Sequence, residues 1–416
     1  MWFMFLALAL VVVTIGGIYF RRRVLQALGT LGVSRRVLRP TGWAILWLLF
    51  GFPTVFFLFR LITLIIGRQS FSDAVGPTIA WLLAYPFWMA VLVMLQTVPF
   101  LLAFDLFHLV TRERVVSDTL ARYRAIGCLV VTLGFALYTP ARIAIERAHL
   151  DVHEYQLSAR DGEVQRAPGD TTPETTPDAA PPFRIAFLAD LQRDRETGRE
   201  RAAQVVDLVN GANPDIILVG GDWINSGPNF IAEAGRTAGE LRSRLGTFSV
   251  RGDHEHFAYR DRTRSLAEVE AALAENGVAM LDNEVRWVEH HGQRIAIIYL
   301  SYNYIVRTPE AGIRQLLDQV PGADFSILVT HQFDNDLAAL VADRVDLVLA
   351  AHTHGGQVNP VVGLTHVSLA AIETDYVEGR YGIGATTVIV TAGIGFSIAP
   401  FRYASPASIE IIELSL

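Results

Sequence analysis

The stretch Leu349-Ala350-Ala351-His352-Thr353-His354-Gly355-Gly356-Gln357 decides how this chain reads. It continues the β-forming residues Val345, Leu347 and Val348, and its two histidines stand two residues apart before a Gly-Gly turn. Side chains i and i+2 of a strand share a face, so both imidazoles project from one side at the strand's carboxyl end. Ligands collect at such ends in α/β sheets. A lone His-x-His carries little weight, but four apolar runs upstream end in the same fashion. Residues 184–192 place Asp190 after Ile185-Ala186-Phe187-Leu188, and residues 215–222 place Asp222 after an apolar run and two glycines. Residues 247–256 lead to Asp253 and His254, and residues 326–331 end in His331. One aspartate after one strand is ordinary turn chemistry. Five successive strand ends offering Asp, Asp, Asp-His, His and His-x-His point to a shared cation. Carboxylates mixed with imidazoles suit Mn, Fe or Zn better than Ca, which prefers oxygen-only shells.

These clusters resemble the calcineurin-like metallophosphoesterase superfamily, whose pattern is Asp-x-His, Gly-Asp, Gly-Asn-His-Asp/Glu, a lone His and then Gly-His-x-His. The likeness runs from about residue 184 to the C-terminus. The Gly-Gly-Gln at 355–357, with the runs at 393–396 and 400–402, is similar to the membrane-anchored bacterial branch. The resemblance implies a two-sheet αββα sandwich holding two divalent transition-metal ions (Mn, Fe or Zn). By position, Asp190, Gln192, Asp222 and His354 would hold one. Asp222 as a bridge, Asp253, His331 and His352 would hold the other, and His254 would protonate the leaving oxygen. The chain departs from the pattern at three places: Gln192 for His, Asp253 for Asn and Ala351 for Gly. An amide oxygen is a poorer ligand than imidazole for these metals. Asp253 adds negative charge beside the second metal and, directly before His254, is expected to favour its protonated form. Ala351 is tolerable provided its backbone needs no positive φ.

With 416 residues, 51% hydrophobic content and a mean hydropathy of +0.32, the chain is too apolar for a purely soluble protein. All 35 basic residues are Arg, which excludes a catalytic lysine. Cys128 is the only cysteine, so no intrachain disulfide or multi-Cys metal site can form. The first 150 residues hold 14 Arg against 5 acidic residues, and the remainder holds 21 against 37. An acidic catalytic half argues against a duplex nucleic-acid partner. The basic half suits a lipid bilayer.

Four apolar stretches, 2–20, 43–67, 79–106 and 126–145, read as an N-terminal four-helix transmembrane region occupying residues 1–148. Pro86 and Pro99 are expected to kink the third. Arg21-Arg22-Arg23 follows the first stretch instead of preceding it, so that stretch reads as a retained anchor and not a signal peptide. The three loops carry six, one and four Arg, which puts the first and third in the cytoplasm. The catalytic domain would then face the periplasm or cell exterior of a bacterial inner or cell membrane. Asp105 and His108 are expected at the interface, facing water beside Arg112 and Arg114.

Residues 149–182 read as an edge strand at 153–157 followed by a mobile loop rich in Pro, Thr and acidic residues. From 183 to 416, apolar strands alternate with helical stretches at 201–210, 265–276 and 310–319, the pattern of an α/β domain. The closing strands 386–390 and 409–416 are assigned to the second sheet. His256, His290, His291 and His366 are taken as surface histidines, and Arg402 as either a phosphate clamp or half of a structural salt bridge. The function expected is a membrane-anchored, metal-dependent phosphoric ester hydrolase acting on a phosphorylated small molecule or a lipid-linked substrate of the envelope. The alternative is a metal-binding but catalytically impaired protein with a sensing or scaffolding role.

Overall fold

The computed structural model describes residues 2–66, 80–111, 118–158, 181–397 and 399–416. It divides into two compact units, residues 1–145 with 359–367 and residues 146–358 with 368–416. The first unit is helical: α1 (Trp2–Thr30), α2 (Arg35–Ile66), a π-helical turn (Ala80–Ala84), α3 (Tyr85–Thr111) and α4 (Asp118–Ala148). A small hairpin, Val361–Val362 with Thr365–His366, belongs to it.

Among the described residues, three helices are long and apolar enough to cross a membrane: Arg35–Phe59, Leu82–Val110 and Asp118–Ala148. Four were expected. From Leu10 onward, where its side chains are described, α1 takes Arg21, Arg22 and Arg23 into the helix, and these end its apolar run. No more than 33% of each apolar window is buried, so the outward faces need an apolar solvent. Inside, Phe20, Val24, Leu49, Met94, Leu101 and Cys128 pack together. Buried Gln96 donates to Thr139 Oγ1 (3.0 Å) and to the Leu92 carbonyl, so its amide is not left unsatisfied in that interior.

Two expectations for this region are corrected. Pro86 opens α3 instead of kinking it, because near a helix start the missing N–H costs no hydrogen bond; Pro99 does lie inside α3. Asp105 is not a water-facing group. It accepts from the Tyr19 hydroxyl (2.8 Å) and pairs with Arg23 and Arg124, since a carboxylate between helices is held only where partners compensate its desolvation. His108 Nδ1 is buried without a hydrogen-bond partner. Arg112 and Arg114, invoked beside these groups, lie outside the described residues.

The second unit contains two six-stranded sheets. The first runs β1 (Leu150–Ser158), β2 (Phe183–Leu188), β3 (Ile216–Val219), β4 (Thr247–Ser249) and β5 (Val278–Met280). The second holds β6 (Glu284–His290), β7 (Gln293–Leu300), β8 (Phe325–Thr330), β9 (Leu347–Ala350), β10 (Gly379–Ile383) and β11 (Thr386–Val390). The last strand, β12 (Ala407–Ser415), returns to the first sheet and lies between β1 and β2, antiparallel to β2. This corrects the assignment of both closing strands to the second sheet. Ile409 and Ile411 face one apolar layer and Ile412 and Leu414 the other. A strand apolar on both faces needs cover on both, which an interior position supplies. β1, as expected, forms the edge, and residues 159–180 of the anticipated mobile loop lie outside the described residues.

Between the sheets, Phe183, Ile185 and Leu218 meet Ile297, Ile327 and Leu349, all with no exposed surface. On the outer face of the first sheet pack α5 (Arg199–Gly211), α6 (Ile231–Glu240) and α7 (Arg262–Glu275), through Val205, Val209, Ala234 and Leu273. The outer face of the second is covered by α8 (Glu310–Leu317) and α9 (Asn335–Val341), through Ile313, Leu317, Leu337 and Val341. The result is an αββα sandwich. β2, β3 and β4 run parallel to one another, as do β8 and β9, so each sheet gathers its carboxyl ends along one edge. Truncating the inter-sheet core should be costly. Ile327→Ala is expected to lower unfolding stability by about 2–5 kcal/mol, read from the denaturant midpoint, whereas Val152→Ala on the exposed edge strand should cost under about 0.5 kcal/mol.

Candidate metal centre

Three of the five strand ends singled out in the sequence turn sharply, those after β2, β3 and β9. Eleven described non-glycine residues have positive φ, and five of them are Asp190 (52°), Gln192 (43°), Asp222 (60°), His352 (76°) and His354 (51°). An L-residue in this region is strained by order 1 kcal/mol or more, so surrounding contacts must over-determine it. Those contacts are visible. The Asp190 and Gln192 amides donate to the carbonyls of Gly221 (3.0 Å) and Asp222 (2.8 Å), stitching the β2 end to the β3 end. The buried Glu255 carboxylate accepts from the amides of Trp223 (2.6 Å), Gly252 (2.7 Å) and Asp222 (3.0 Å), stitching β3 to β4. Gly252 is required by this approach, because a Cβ there would lie 2.1 Å from Asp222 Oδ1. Ala351 has no positive φ and donates to the His331 carbonyl (2.9 Å), so the loss of glycine at that position is harmless. Glu255 has no role in the sequence reading above. Its place after His254, in the family's Asp/Glu position, was the available signal.

The side chains on these turns converge. His331 Nε2 lies 3.5 Å from Asp222 Oδ2, 3.6 Å from Asp253 Oδ2 and 3.2 Å from His352 Nδ1. His352 Nδ1 is 3.3 Å from Asp253 Oδ2, and Asp190 Oδ1 is 3.9 Å from both His331 Nδ1 and His354 Nε2. Two overlapping groups could each hold a cation: Asp253, His331 and His352, and Asp190, Asp222 and His331. Gln192 and His354 complete the ring on the Asp190 side. The Gln192 amide nitrogen lies 3.2 Å from Asp222 Oδ2 and 3.1 Å from His354 Nε2.

The donor set fits a metal on a separate ground. Asp190 Oδ1, Gln192 Oε1 and Asp253 Oδ2 are buried acceptors with no hydrogen-bond partner. Buried polar groups are otherwise almost always satisfied, and a cation among these atoms would satisfy all three. The imidazoles are held so that one nitrogen stays free for a ligand. His331 Nδ1 donates to the Gly220 carbonyl (2.7 Å), leaving Nε2 inward, and His352 Nε2 faces Glu373 (3.4 Å), leaving Nδ1 inward.

Electrostatics agree. Burial pushes the Asp190 carboxyl up to about 6 against the pull of His331. Burial, reinforced by Asp222, pushes Glu255 up to about 7. Burial also opposes ionisation of Asp253, but the neighbouring His331 and His352 imidazoles outweigh it and hold that carboxyl well below the usual range. His331 rises well above an ordinary imidazole despite burial, because Asp222, Asp253 and Asp190 surround it. His352, also opposed by burial, is raised to about 9 by Asp253 and Glu373. His354 goes the other way, lowered by burial and then by Arg402, and is thus neutral as ligation requires. Three carboxylates in one buried cavity draw positive charge, as protons or as metal.

His254 stands outside both groups. Its Nδ1 faces the Asn225 carbonyl, its amide donates to Asp222 Oδ1 (2.8 Å), and its Nε2 lies 3.8 Å from Asp222 Oδ2. The carboxylate paired with this ring is therefore Asp222. Asp253, expected to act on it, turns its oxygens to the Tyr304 amide (2.8 Å) and to the two imidazoles. His256 and His290 are buried, which corrects their reading as surface residues, while His291 and His366 are exposed. Arg402 is neither phosphate clamp nor salt bridge. Fully buried, it donates to the carbonyls of His354, Ala392, Gly393, Gly395 and Ser405, with Nη2 3.3 Å from His354 Nδ1. It braces the wall behind His354.

Residues 183–356 match the family model described as calcineurin-like phosphoesterase. A putative metallophosphoesterase of Caenorhabditis elegans is 26% identical over 240 residues, covering 56% of this chain and 48% of that protein. A transmembrane protein with metallophosphoesterase domain from Bos taurus is 28% identical over 310 residues, covering 70% and 65%. An uncharacterised metallophosphoesterase of Helicobacter pylori is 25% identical over 236 residues, covering 56% and 60%. The chain thus spans about half to two-thirds of the length of these relatives. With the sandwich and the converging Asp and His side chains, this match makes residues 183–356 a calcineurin-like phosphoesterase domain.

Proposed function

We propose that this protein is a membrane-anchored, two-metal phosphoesterase that hydrolyses a phosphate ester of a small or lipid-linked substrate. The observation that carries the reading is the pair of buried, unpartnered acceptors on Asp190 and Asp253, facing imidazole nitrogens from two strand ends. Asp190, Gln192, Asp222 and His354 would hold one ion, and Asp222, Asp253, His331 and His352 the other. Two divalent transition-metal ions supply charge neutralisation at the phosphoryl oxygens and an activated water at neutral pH.

The chain's own residues do the rest. Asp222 is oriented by its neighbours' amides and by the turn that Glu255 clamps, so its two oxygens can serve both sides. The Asn225 carbonyl fixes the His254 ring through Nδ1 and leaves Nε2 on the Asp222 side, where it can deliver a proton to the leaving oxygen. Phosphoryl transfer through a loose transition state demands positioning and charge neutralisation above all, which a braced site provides.

One observation favours a second reading, a metal-binding protein without turnover. With its amide nitrogen toward Asp222 and His354, Gln192 offers hydrogens where a cation would sit. The amide's two ends have the same shape, so rotation would present Oε1 instead. The membrane reading rests on the three long apolar helices and on relatives that carry the word transmembrane in their names. The sequence before α4 and its first turns carry Arg112, Arg114, Arg122 and Arg124, which would stay in the cytoplasm whether or not α1 crosses, and the catalytic domain would emerge outside.

Loading the purified chain with Mn²⁺ or Fe²⁺ should give close to two metal ions per chain by elemental analysis. Gln192→His should tighten the weaker of the two and raise turnover of bis-p-nitrophenyl phosphate. A decrease in both quantities would show that position 192 does not serve as a ligand. His254→Ala should lower kcat about 100-fold on substrates with poor leaving groups and less with p-nitrophenolate, while metal content stays unchanged. Equal losses on both substrates would remove the general-acid role. An alkaline phosphatase fused to the C-terminus should be active and a fluorescent protein fused there dark, with the reverse pattern placing the domain inside.

A further inference from the structure

The helical unit contains a cavity of about 300 Å³ where the C-terminal parts of α1 and α3 meet the first turns of α4. Its polar lining is Arg23, Gln26 and Thr30 from α1, Asp105 from α3 and Arg124 from α4, and Phe104 contributes to an apolar wall. The charges do not balance. One Asp105 oxygen pairs with both Arg23 and Arg124, and its other oxygen is taken by the Tyr19 hydroxyl. Among the described residues two guanidiniums thus share a single carboxylate oxygen, leaving one excess positive charge. Arg124 Nε is buried and has no hydrogen-bond partner, and the two guanidiniums are only about a quarter exposed, at 22% and 23%.

A partly buried excess cation with an idle N–H calls for an anion that can accept several hydrogen bonds at once. A phosphate group does this, because its oxygens match the planar fork of a guanidinium in bidentate fashion. A carboxylate from this chain already occupies one side, so the occupant enters the side lined by Gln26, Thr30 and the unpaired Arg124 edge. Arg21, Arg22 and Arg23 mark this end of α1, and basic pockets between spanning helices at headgroup depth take lipid phosphates. The apolar wall can cover the first carbons of an attached chain.

We propose that this cavity binds a phosphate group, carried on an anionic lipid headgroup or free in solution. Its lining shares no residue with the set assigned to catalysis, so it stands or falls independently of the hydrolase reading. The test uses the full chain, stripped of metal with chelator so that the metal centre does not bind phosphate. Native mass spectrometry from phosphatidylcholine nanodiscs doped with phosphatidic acid reads lipid retention, and a thermal shift with inorganic phosphate in detergent reads the free anion. Two variants report on the site: Arg124→Gln removes the excess charge, and Ala121→Trp fills the cavity from an exposed lining position while leaving the ion pairs intact. Phosphatidic acid should be retained over phosphatidylcholine, and each variant should weaken that retention about tenfold, the loss expected from one charge-assisted contact. A phosphate-dependent shift abolished by both variants, without lipid preference, identifies the free anion as occupant. If neither probe binds, or if binding survives both substitutions, the proposal is overturned.

Discussion

The interaction on which the metal centre depends is the clamp made by Glu255. A single buried carboxylate accepts three backbone amides from two loops, fixing Asp222 and Trp223 against Gly252. Among the described residues no cation forms an ion pair with it, and burial with Asp222 nearby pushes the carboxyl upward against the pull of those amides. A neutral carboxyl accepts such bonds more weakly, so the clamp and the charge on Glu255 support each other. Asp222 sits at φ 60° directly beside this clamp, with Oδ2 toward Gln192 and His331 and Oδ1 accepting the His254 amide. Without the clamp the β3 turn would relax toward ordinary φ, and Asp222 would move away from Asp190 and His331.

Strain and charge are concentrated together. Five left-handed turns, three carboxylates and unpaired acceptors occur where two sheets present their strand ends, while the layers behind are apolar and closely packed. That rigid backing is what allows the strained turns to persist. The two substitutions in the family pattern act in opposite directions on the charge balance. Gln192 offers a neutral amide on the Asp190 side, and Asp253 adds a carboxylate on the other, held ionised by His331 and His352. The cavity is therefore polarised, with its stronger cation affinity expected on the Asp253 side. Arg402 adds to this asymmetry, since its guanidinium stands behind His354 and lowers the basicity of that imidazole alone.

The helical unit shows the same economy with polar groups in a different solvent. Gln96 is satisfied by Thr139 and its own helix, and Asp105 by three partners from neighbouring helices, as expected where unsatisfied polar groups are expensive. Among the described residues Thr97 Oγ1, His108 Nδ1 and Arg124 Nε are buried without a partner, and of these only the Arg124 edge lines the cavity.

Much of the catalytic half was legible in the chain because its signals are local. A run such as Ile216–Val219 ending in Gly-Gly-Asp declares both a buried strand and the carboxylate at its tip, but the period-two rule does not reach His352 and His354, which lie past the end of β9 in left-handed backbone. The αβ alternation likewise announced the layers that cover the sheets. What local pattern could not supply was partnership across the fold. β12 lies between β1 and β2, a pairing over some 220 residues that no periodicity encodes, although its two apolar faces already demanded an interior place. The burial of His256 and His290, the backbone-bracing role of Arg402 and the pairing of Asp105 with Arg23 and Arg124 were all invisible for one reason. Hydrophobic period reports which residues avoid water, whereas the partner of a buried polar group is chosen by three-dimensional packing alone. The sequence by itself determined which atoms could bind a metal, and the tertiary structure decided which of them point at one another.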